Sequence, residues 1–227
     1  MKKPALSLAL LSLVYCQEKH QQKHQAPVQK VIAEAHQTES SKDAVYTEFK
    51  PEIISGLDIK GFDIEHAFSL EGYKIASGNY KPVDGNNTLP DTEKDWGKRL
   101  LLLNDKNQIT YQSKGFGEAY LYEPYFYKNS QNGNIIIVCQ QAFEYFFGGE
   151  AFLFEKGKMK YLGNLDIEPD NMEIKLTDIL KIKESEDGIT FTFDSDSLVL
   201  QPGSKDRVIK NNNVKYVYDH ESLKLHQ

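Results

Sequence analysis

Cysteine, basic charge and long apolar runs are all scarce in this sequence of 227 residues. The two cysteines, Cys16 and Cys139, lack the paired spacing that zinc sites use. The formal net charge is −6, so the chain has no excess of basic residues for contacts with nucleic acid phosphates. We therefore expect no nucleic acid among its partners.

Short catalytic motifs are missing as well. The sequence contains no G-x-S-x-G elbow, no Walker loop and no H-E-x-x-H pair. Two groups of residues have side chains of the types that hydrolases use, and they are Asp63, Glu65, His66 and Ser69, and Glu118, Glu123 and Glu144. Such groups arise by chance in a chain with 33 acidic residues, and a triad is defined by spatial geometry. We therefore predict no catalytic residue, no metal site and no cofactor.

Aromatic residues, in contrast, are abundant. The chain has 13 Tyr and 12 Phe, which favour β-strands, and its 40% hydrophobic and 26% charged residues are typical of a globular protein. From about residue 45 onwards, short apolar runs alternate with turns rich in Gly, Pro and Asn. The pattern predicts a mainly β domain over residues 45–227, with little helix. Its antiparallel hairpins would form a small propeller-like domain or a meander that closes as a sandwich or barrel.

Residues 120–162 contain the highest density of aromatic and β-branched side chains. Within them, IIIVC and AFLF have the character of buried strands, and we predict that Cys139 is a packing residue rather than a reactive thiol. Further along, LTDILKIKES predicts a short helix capped by Thr177 or Asp178.

Three predicted hairpins resemble one another. Each runs from an apolar strand through a polar turn to an apolar residue and a tyrosine, as LLLNDKNQITY, FLFEKGKMKY and RVIKNNNVKY. The tyrosines are Tyr111, Tyr161 and Tyr216, at spacings of 50 and 55 residues. Such periods suggest one multi-strand sheet per repeat, as in propeller blades; alternatively, they arise because hairpins of this form are common.

This region resembles bacterial envelope proteins with integrin-alpha-type (FG-GAP-like) propeller repeats. The resemblance runs from GNYKPVD through KRLLLLNDKNQITYQSKG to NIIIVCQQAFEYFFGGEAFLFEKGKMKYLG. In that family a GD-x-N-x-DG calcium loop precedes the first strand. Here Asn79 follows Gly78 in place of the carboxylate, and only Asp84 and Gly85 match. Calcium takes about six to eight oxygen ligands, so the resemblance does not carry a metal site to this chain.

The N-terminal residues resemble the lipobox signal of bacterial lipoproteins. Two lysines precede a short apolar region over residues 5–14, which is shorter than the ~20 residues that span a membrane, and the run ends LVYC at Cys16. The family usually has Gly, Ala or Ser where this chain has Tyr15. The resemblance implies a signal peptide over residues 1–15 and an acylated (palmitate-bearing) Cys16 as the new N-terminus. An ordinary cleaved signal without lipid is the alternative.

The same resemblance predicts the location of the protein in the cell. An acylated Cys16 would anchor the exported chain to a bacterial membrane of the cell envelope, at the outer membrane or on the periplasmic face. Residues 16–44 would then form a tether, because their Gln, Lys, His, Glu and Ser cannot bury enough apolar surface to fold alone. His20 and His24 stand four residues apart without a third ligand nearby, and we interpret them as solvated.

The segment YLYEPYFY provides the candidate binding residues. Strand alternation places Tyr120 and Tyr122 on one face and Tyr125 and Tyr127 on the other. Pro124 cannot donate to a β-ladder, so we predict an edge or a bulge at this segment. An exposed edge with these four tyrosines would suit a protein or glycan partner; alternatively, the rings pack inside with their hydroxyls reaching water.

Together these features predict a non-enzymatic envelope lipoprotein that binds a protein or a saccharide. Two alternatives remain open. One is a hydrolase of the cell wall or of an extracellular polysaccharide, with carboxylates brought together from distant strands. The other is an inhibitor or immunity protein of the envelope.

Overall fold

The computed structural model describes residues 43–81, 95–117, 119–171 and 173–227. These residues form three antiparallel sheets and one four-residue helix, so the prediction of a mainly β domain with little helix is confirmed. The predicted lipobox, residues 16–42 of the predicted tether with its two histidines, the Asp84-Gly85 loop and Glu118 lie outside the described residues, whereas Ala44, the last residue of that tether, already belongs to a strand. None of the helical structure in these four ranges is long and apolar enough to cross a membrane.

Nine strands form one sheet that curls into a nearly closed barrel. In spatial order they are β10 (Lys158–Leu165), β9 (Phe146–Glu155), β8 (Ile135–Ala142), β7 (Leu121–Asn129), β1 (Ala44–Phe49), β12 (Leu180–Ser185), β13 (Gly188–Phe193), β16 (Lys215–Tyr218) and β17 (Leu223–His226). The two outer strands of the sheet, β10 and β17, lie close together. A Cβ added to Gly163 of β10 would lie only 2.8 Å from the Cβ of Leu223 of β17. In addition, Lys160 Nζ donates to the carbonyl of His220 at 3.1 Å.

A five-stranded meander packs on the outside of this barrel. It consists of β2 (Glu52–Ile53), β3 (Phe62–Leu70), β4 (Tyr73–Tyr80), β5 (Arg99–Leu103) and β6 (Ile109–Gln112). Leu100 and Leu102 of β5 pack against Phe126, Ile137 and Phe152 of the barrel wall. The molecule therefore has an inner core within the barrel and an outer core between the barrel and the meander.

Strand β8 is apolar on both faces because it separates these two cores. Ile136 and Val138 belong to the inner core, whereas Ile137 and Cys139 belong to the outer core, and all four are fully buried. This confirms IIIVC as a core strand and Cys139 as a packing residue. Burial raises the pKa of the Cys139 thiol well above its usual range, which keeps it protonated and unreactive.

The third sheet and the helix pack onto the inner core where β8 ends and β9 begins. They are β11 (Ile167–Pro169), β14 (Ser197–Leu200), β15 (Arg207–Lys210) and α1 (Leu176–Ile179). Ile167, Leu176 and Leu198 contribute the apolar side chains that join them to the barrel.

The predicted helix over LTDILKIKES is wrong in its length and its cap. It ends at Ile179, and its N-cap is Lys175 rather than Thr177 or Asp178. From Leu180 the chain alternates apolar and charged residues, and this period of two suits the strand that pairs with β1 and β13.

The last of the three predicted hairpins does not form. The first two are present as β5–β6 and β9–β10, but β15 pairs with β14 while β16 pairs with β13 and β17. Asn211 explains the difference, because its Nδ2 donates to the carbonyls of Phe193 at 2.7 Å and Ser195 at 2.8 Å. These bonds hold the connecting segment at the end of β13 and lead the chain from one sheet to the other.

Candidate functional site

The predicted tyrosine segment lies in β7, whose pairing changes along its length. Strand β1 ends at Phe49, opposite Phe126, so from Leu121 to Tyr125 the only described strand that pairs with β7 is β8. Pro124 lies in this half-paired part, where its missing N–H removes no ladder bond to β1. The predicted edge is therefore present over half of the strand, and the other half is internal.

Two of the four candidate tyrosines are buried, so the prediction that they contact a partner is wrong. Tyr122 is fully buried in the outer core, where its hydroxyl donates to Glu150 Oε2 at 2.5 Å. Tyr127 is buried in the inner core and donates to the carbonyl of Thr177 at 3.2 Å. The reason is that β7 lies between the two cores. Side chains at alternate positions of this strand therefore face the outer core and the inner core in turn.

Tyr125 is half-buried and belongs to a polar network. Lys175 Nζ donates to the Tyr125 hydroxyl at 2.6 Å, and that hydroxyl donates to Glu123 Oε2 at 2.8 Å. Lys175 Nζ also lies 5.3 Å from the centre of the tyrosine ring. Partial burial raises the pKa of the Tyr125 phenol; the hydrogen bond from Lys175 opposes this shift and the one to Glu123 adds to it, so the phenol remains a neutral donor.

A cleft of about 580 Å³ borders the half-paired part of β7. It brings together Glu123 and Tyr125 with Glu65 and His66, which come from the two groups of hydrolase-type residues. However, both carboxylates are already in ion pairs. Lys98 Nζ lies 2.6 Å from Glu65 Oε2, and Lys175 Nζ lies 3.3 Å from Glu123 Oε2. The His66 ring makes no hydrogen bond within the described residues, so no nucleophile and base are in contact there.

Tyr120 belongs to a different place, an exposed group of aromatic rings beside the β8–β9 turn. We call this group the aromatic surface; its members are Trp96, Phe116, Tyr120, Phe143, Tyr145 and Phe147. Tyr120 is 81% exposed, and Trp96, Phe143 and Tyr145 are about 40% exposed. These four belong to the nine exposed large apolar side chains in the described part of the protein.

Three rings of the aromatic surface, those of Phe116, Phe143 and Phe147, are in mutual contact. Phe143 lies 5.7 Å from Phe116 and 5.2 Å from Phe147, measured between ring centres, at interplanar angles of 35° and 85°. Tyr120 and Phe143 border one shallow depression together with Lys98 and Glu144. This packing orders the rings of Phe116, Phe143 and Phe147 before any partner arrives.

Backbone contacts hold the two sequence-distant sides of the aromatic surface together. Gly97 and Gly117 form a parallel bridge, and the N–H of Gly117 donates to the carbonyl of Trp96 at 2.9 Å. A Cβ on Gly97 would lie 2.0 Å from the Gly117 carbonyl oxygen, so only glycine allows this approach. Lys98 Nζ then donates to the carbonyl of Tyr120 at 3.2 Å.

Two carboxylates are buried near this end of the barrel. Burial raises the pKa of Glu150, in the outer core, to about 7. Burial raises the pKa of Glu168, on β11, to about 7 as well. Glu168 Oε1 accepts from Gln140 Nε2 at 2.8 Å and from the N–H of Gly148, whereas its Oε2 has no hydrogen-bond partner in the described residues.

Gln140 connects four elements around Glu168. It is fully buried, and its Nε2 also donates to the carbonyl of Gly148 at 3.0 Å. Its Oε1 accepts from the N–H of Thr177, at the start of α1, at 3.2 Å. In the described ranges, no group of three or more His, Cys, Asp or Glu side chains is placed to hold a metal ion.

Sequence reasoning found Tyr120 but missed the other members of the aromatic surface. The signal was the run AFEYFFGG, in which aromatic residues flank a turn and exceed what one buried strand face can hold. Their proximity to Trp96 and Phe116 depends on the glycine bridge and has no local signature.

No family model, curated protein or solved structure matches this chain in comparisons with known proteins, so the function has to be argued from the geometry.

Proposed function

We propose that this protein is a non-enzymatic binding module of the bacterial envelope, which binds a protein partner through the aromatic surface and is held at the membrane by a lipid on Cys16. The observation that carries the proposal is the group of exposed aromatic side chains of the aromatic surface, in which Tyr120 and Phe143 border one depression. Exposed apolar side chains are ordinary when scattered singly, but a contiguous group on a soluble domain is typical of an interaction site.

The energetics favour binding at this surface. Burying one large apolar side chain contributes roughly 1.5–3 kcal/mol, and Trp and Tyr are enriched among the residues that dominate protein interfaces. Phe143 already packs against Phe116 and Phe147, so a partner loses little free energy in ordering this ring. Lys98 and Glu144 at the edge supply the polar rim that such interfaces have.

The relief of the surface favours a protein over a saccharide. The rings of Phe143 and Phe147 are nearly perpendicular, at 85°, so they form a ridged surface into which side chains can interdigitate. A sugar ring stacks best on an exposed flat face, and Tyr120 is the most exposed of the described aromatic residues. An envelope inhibitor or immunity protein would be one form of this function, since it also binds a protein.

Photocrosslinking in living bacteria tests the proposed surface. With p-benzoyl-phenylalanine in place of Tyr120 or Phe143, we expect the same discrete protein adduct from both positions. Val208 is 58% exposed and lies outside the aromatic surface, so the same replacement there should give no such adduct. Adducts spread equally over all three positions, or absent from all, would contradict the proposal.

A double variant adds a quantitative test. With the crosslinker at Tyr145, the changes Tyr120→Ala and Phe143→Ala should lower the adduct yield at least tenfold, because two anchors of roughly 1.5–3 kcal/mol each are lost. An unchanged melting temperature would show that the fold is intact. If the double variant instead loses retention on a polysaccharide matrix and no protein adduct exists, the saccharide alternative is favoured.

The lipid anchor has its own test. We expect metabolic labelling with a fatty acid to mark the wild-type protein and to find it in the membrane fraction. Cys16→Ala should abolish the label and release the protein, whereas Cys139→Ala should keep both because that thiol is buried. Unchanged labelling and fractionation of Cys16→Ala would exclude a lipid at this position.

A further inference from the structure

The turn between β7 and β8 contains the dipeptide Asn132-Gly133. No other asparagine in the 227-residue sequence stands directly before a glycine. An Asn-Gly pair is chemically reactive, because glycine has no Cβ to shield its backbone nitrogen from the preceding asparagine side chain. This turn is therefore the place in the chain where an asparagine side chain is most open to attack by its own backbone.

The structure leaves this pair accessible. Asn132 is exposed, and a Cβ added to Gly133 would meet no atom beyond its chain neighbours within 4 Å. Gly133 has a φ of +78°, which glycine adopts without strain. Water can therefore reach the peptide bond that joins the two residues.

Hydrogen bonds within the turn hold both of the groups that would react. Asn132 Oδ1 accepts from the N–H of Asn134 at 2.9 Å, which closes an Asx-turn over the Gly133 peptide. An N–H donor at this oxygen stabilises the negative charge that develops there during nucleophilic attack. The nucleophile is the Gly133 nitrogen, whose N–H donates to the carbonyl of Asn129 at 3.1 Å. Attack requires this bond to open, and exposed turns open at a low cost in free energy.

The side-chain nitrogen of Asn132 supports a junction of three strands. Its Nδ2 donates to Glu184 Oε2 at 3.0 Å. The same oxygen accepts from Asn129 Nδ2 at 2.7 Å and from the Tyr46 hydroxyl at 2.8 Å. Tyr46 is the residue at which β1 pairs with both β7 and β12. These three donors connect β1, β7 and the turn to one carboxylate of β12.

We propose that Asn132 is a site of spontaneous deamidation, and that the product loosens the junction of β1 with β7 and β12. The Gly133 nitrogen gives its proton to water and attacks Cγ of Asn132. The N–Cγ bond forms, the Cγ–Nδ2 bond breaks, and Nδ2 takes up a proton and leaves as ammonia. A water molecule then hydrolyses the succinimide ring to aspartate or isoaspartate. This modification does not depend on the proposed function.

Either product changes the charge beside Glu184. The N–H donor to Glu184 Oε2 is replaced by a carboxylate, so two like charges lie next to each other. Like charges in contact destabilise paired strands, and a charged acceptor that loses a donor is penalised more than a neutral one. Isoaspartate also adds one methylene to the backbone of a turn that sets the register of β7 and β8.

Peptide mass analysis of the purified protein during incubation at pH 8 tests the site. We expect Asn132 to become aspartate or isoaspartate at least tenfold faster than Asn107 or Asn213. These two residues are the matched controls, because they also lie at turns with positive φ but precede Gln108 and Val214 instead of glycine. A rate at Asn132 no higher than theirs would overturn the proposal.

The substitution Asn132→Asp tests the consequence of the reaction. Urea denaturation should give a folded-to-unfolded ratio about tenfold lower than in the wild-type protein, and the β1 amides should exchange hydrogen for deuterium faster. Asn212→Asp is the control, because Asn212 is exposed at another turn and its side chain makes no hydrogen bond within the described residues. Equal effects of the two substitutions would show that deamidation does not act on the junction.

Glu184→Gln separates charge repulsion from a general effect on the turn. Glutamine keeps an acceptor for Tyr46 and Asn129 but carries no charge, so in this background Asn132→Asp should lower the folded-to-unfolded ratio by less than about threefold. An equal loss in both backgrounds would contradict the role of Glu184. If Glu184→Gln does not fold, the comparison of Asn132→Asp with Asn212→Asp decides.

Discussion

Replacing Gln140 with leucine is expected to lower the free energy of unfolding by about 3–4 kcal/mol, as for the loss of a buried hydrogen-bond network. The two side chains are similar in size, so little of this effect comes from a cavity. Leucine cannot donate to the carbonyl of Gly148 or to Glu168, and it cannot accept from Thr177. Each of these buried groups would lose a partner at once.

Urea denaturation at pH 7 measures this effect. Gln131 is exposed in the turn after β7, and Gln131→Leu should change the free energy of unfolding by less than about 0.5 kcal/mol. A loss below about 1 kcal/mol in Gln140→Leu would contradict the role of Gln140 as the connection between β8, β9, β11 and α1.

The free energy of unfolding is also expected to fall as the pH rises from about 4.5 to about 7. Burial raises the pKa of both Glu150 and Glu168 from 4.5 to about 7, so between these values the folded protein retains two protons that the unfolded chain releases. The stabilisation is fully present below the unfolded pKa and is lost as the pH rises through the folded pKa. Each group contributes about 2–3 kcal/mol to this decrease.

Denaturation of glutamine variants at pH 5 and pH 8 tests the pH dependence. Because glutamine stays neutral, Glu150→Gln and Glu168→Gln should each gain about 2–3 kcal/mol relative to the wild-type protein between the two pH values. Glu71 forms an exposed ion pair with Lys128, and Glu71→Gln should show the same small difference at both. If the wild-type protein and the three variants showed parallel pH profiles, the pH dependence of the free energy of unfolding would not come from Glu150 and Glu168.

The fold class followed from local patterns, whereas the order of the strands did not. Alternation and turn residues were enough to predict β8 as a buried strand and a mainly β domain. The partners of β1 are β7 and β12, far along the chain, and nothing in AVYTEF indicates them. The tight Asn-rich turn before β16 failed as a hairpin signal because Asn211 bonds to the end of β13 instead.

The candidate site shows the same limit. Alternation correctly separated Tyr122 from Tyr127, but it did not show that layers cover both faces of β7. Tyr120 remains exposed because it lies just before the start of β7. Glu168 gave no signal at all, since a single Glu in a short strand is ordinary until the fold buries it.

The central place of β1 in the barrel has a consequence for how the chain acquires its structure. Ribosomes make this strand before the other described strands, yet its ladders wait for residues made much later; Tyr46, for example, donates to Glu184, 138 positions onward. Contacts of such long sequence separation slow folding, because a large loop must be closed before they form. Without β1, the four strands ending at β7 and the four beginning at β12 are two separate half-sheets. Strand β1 therefore lacks its partner β12 until residues 180–185 have been made, and its pairing then joins the two half-sheets.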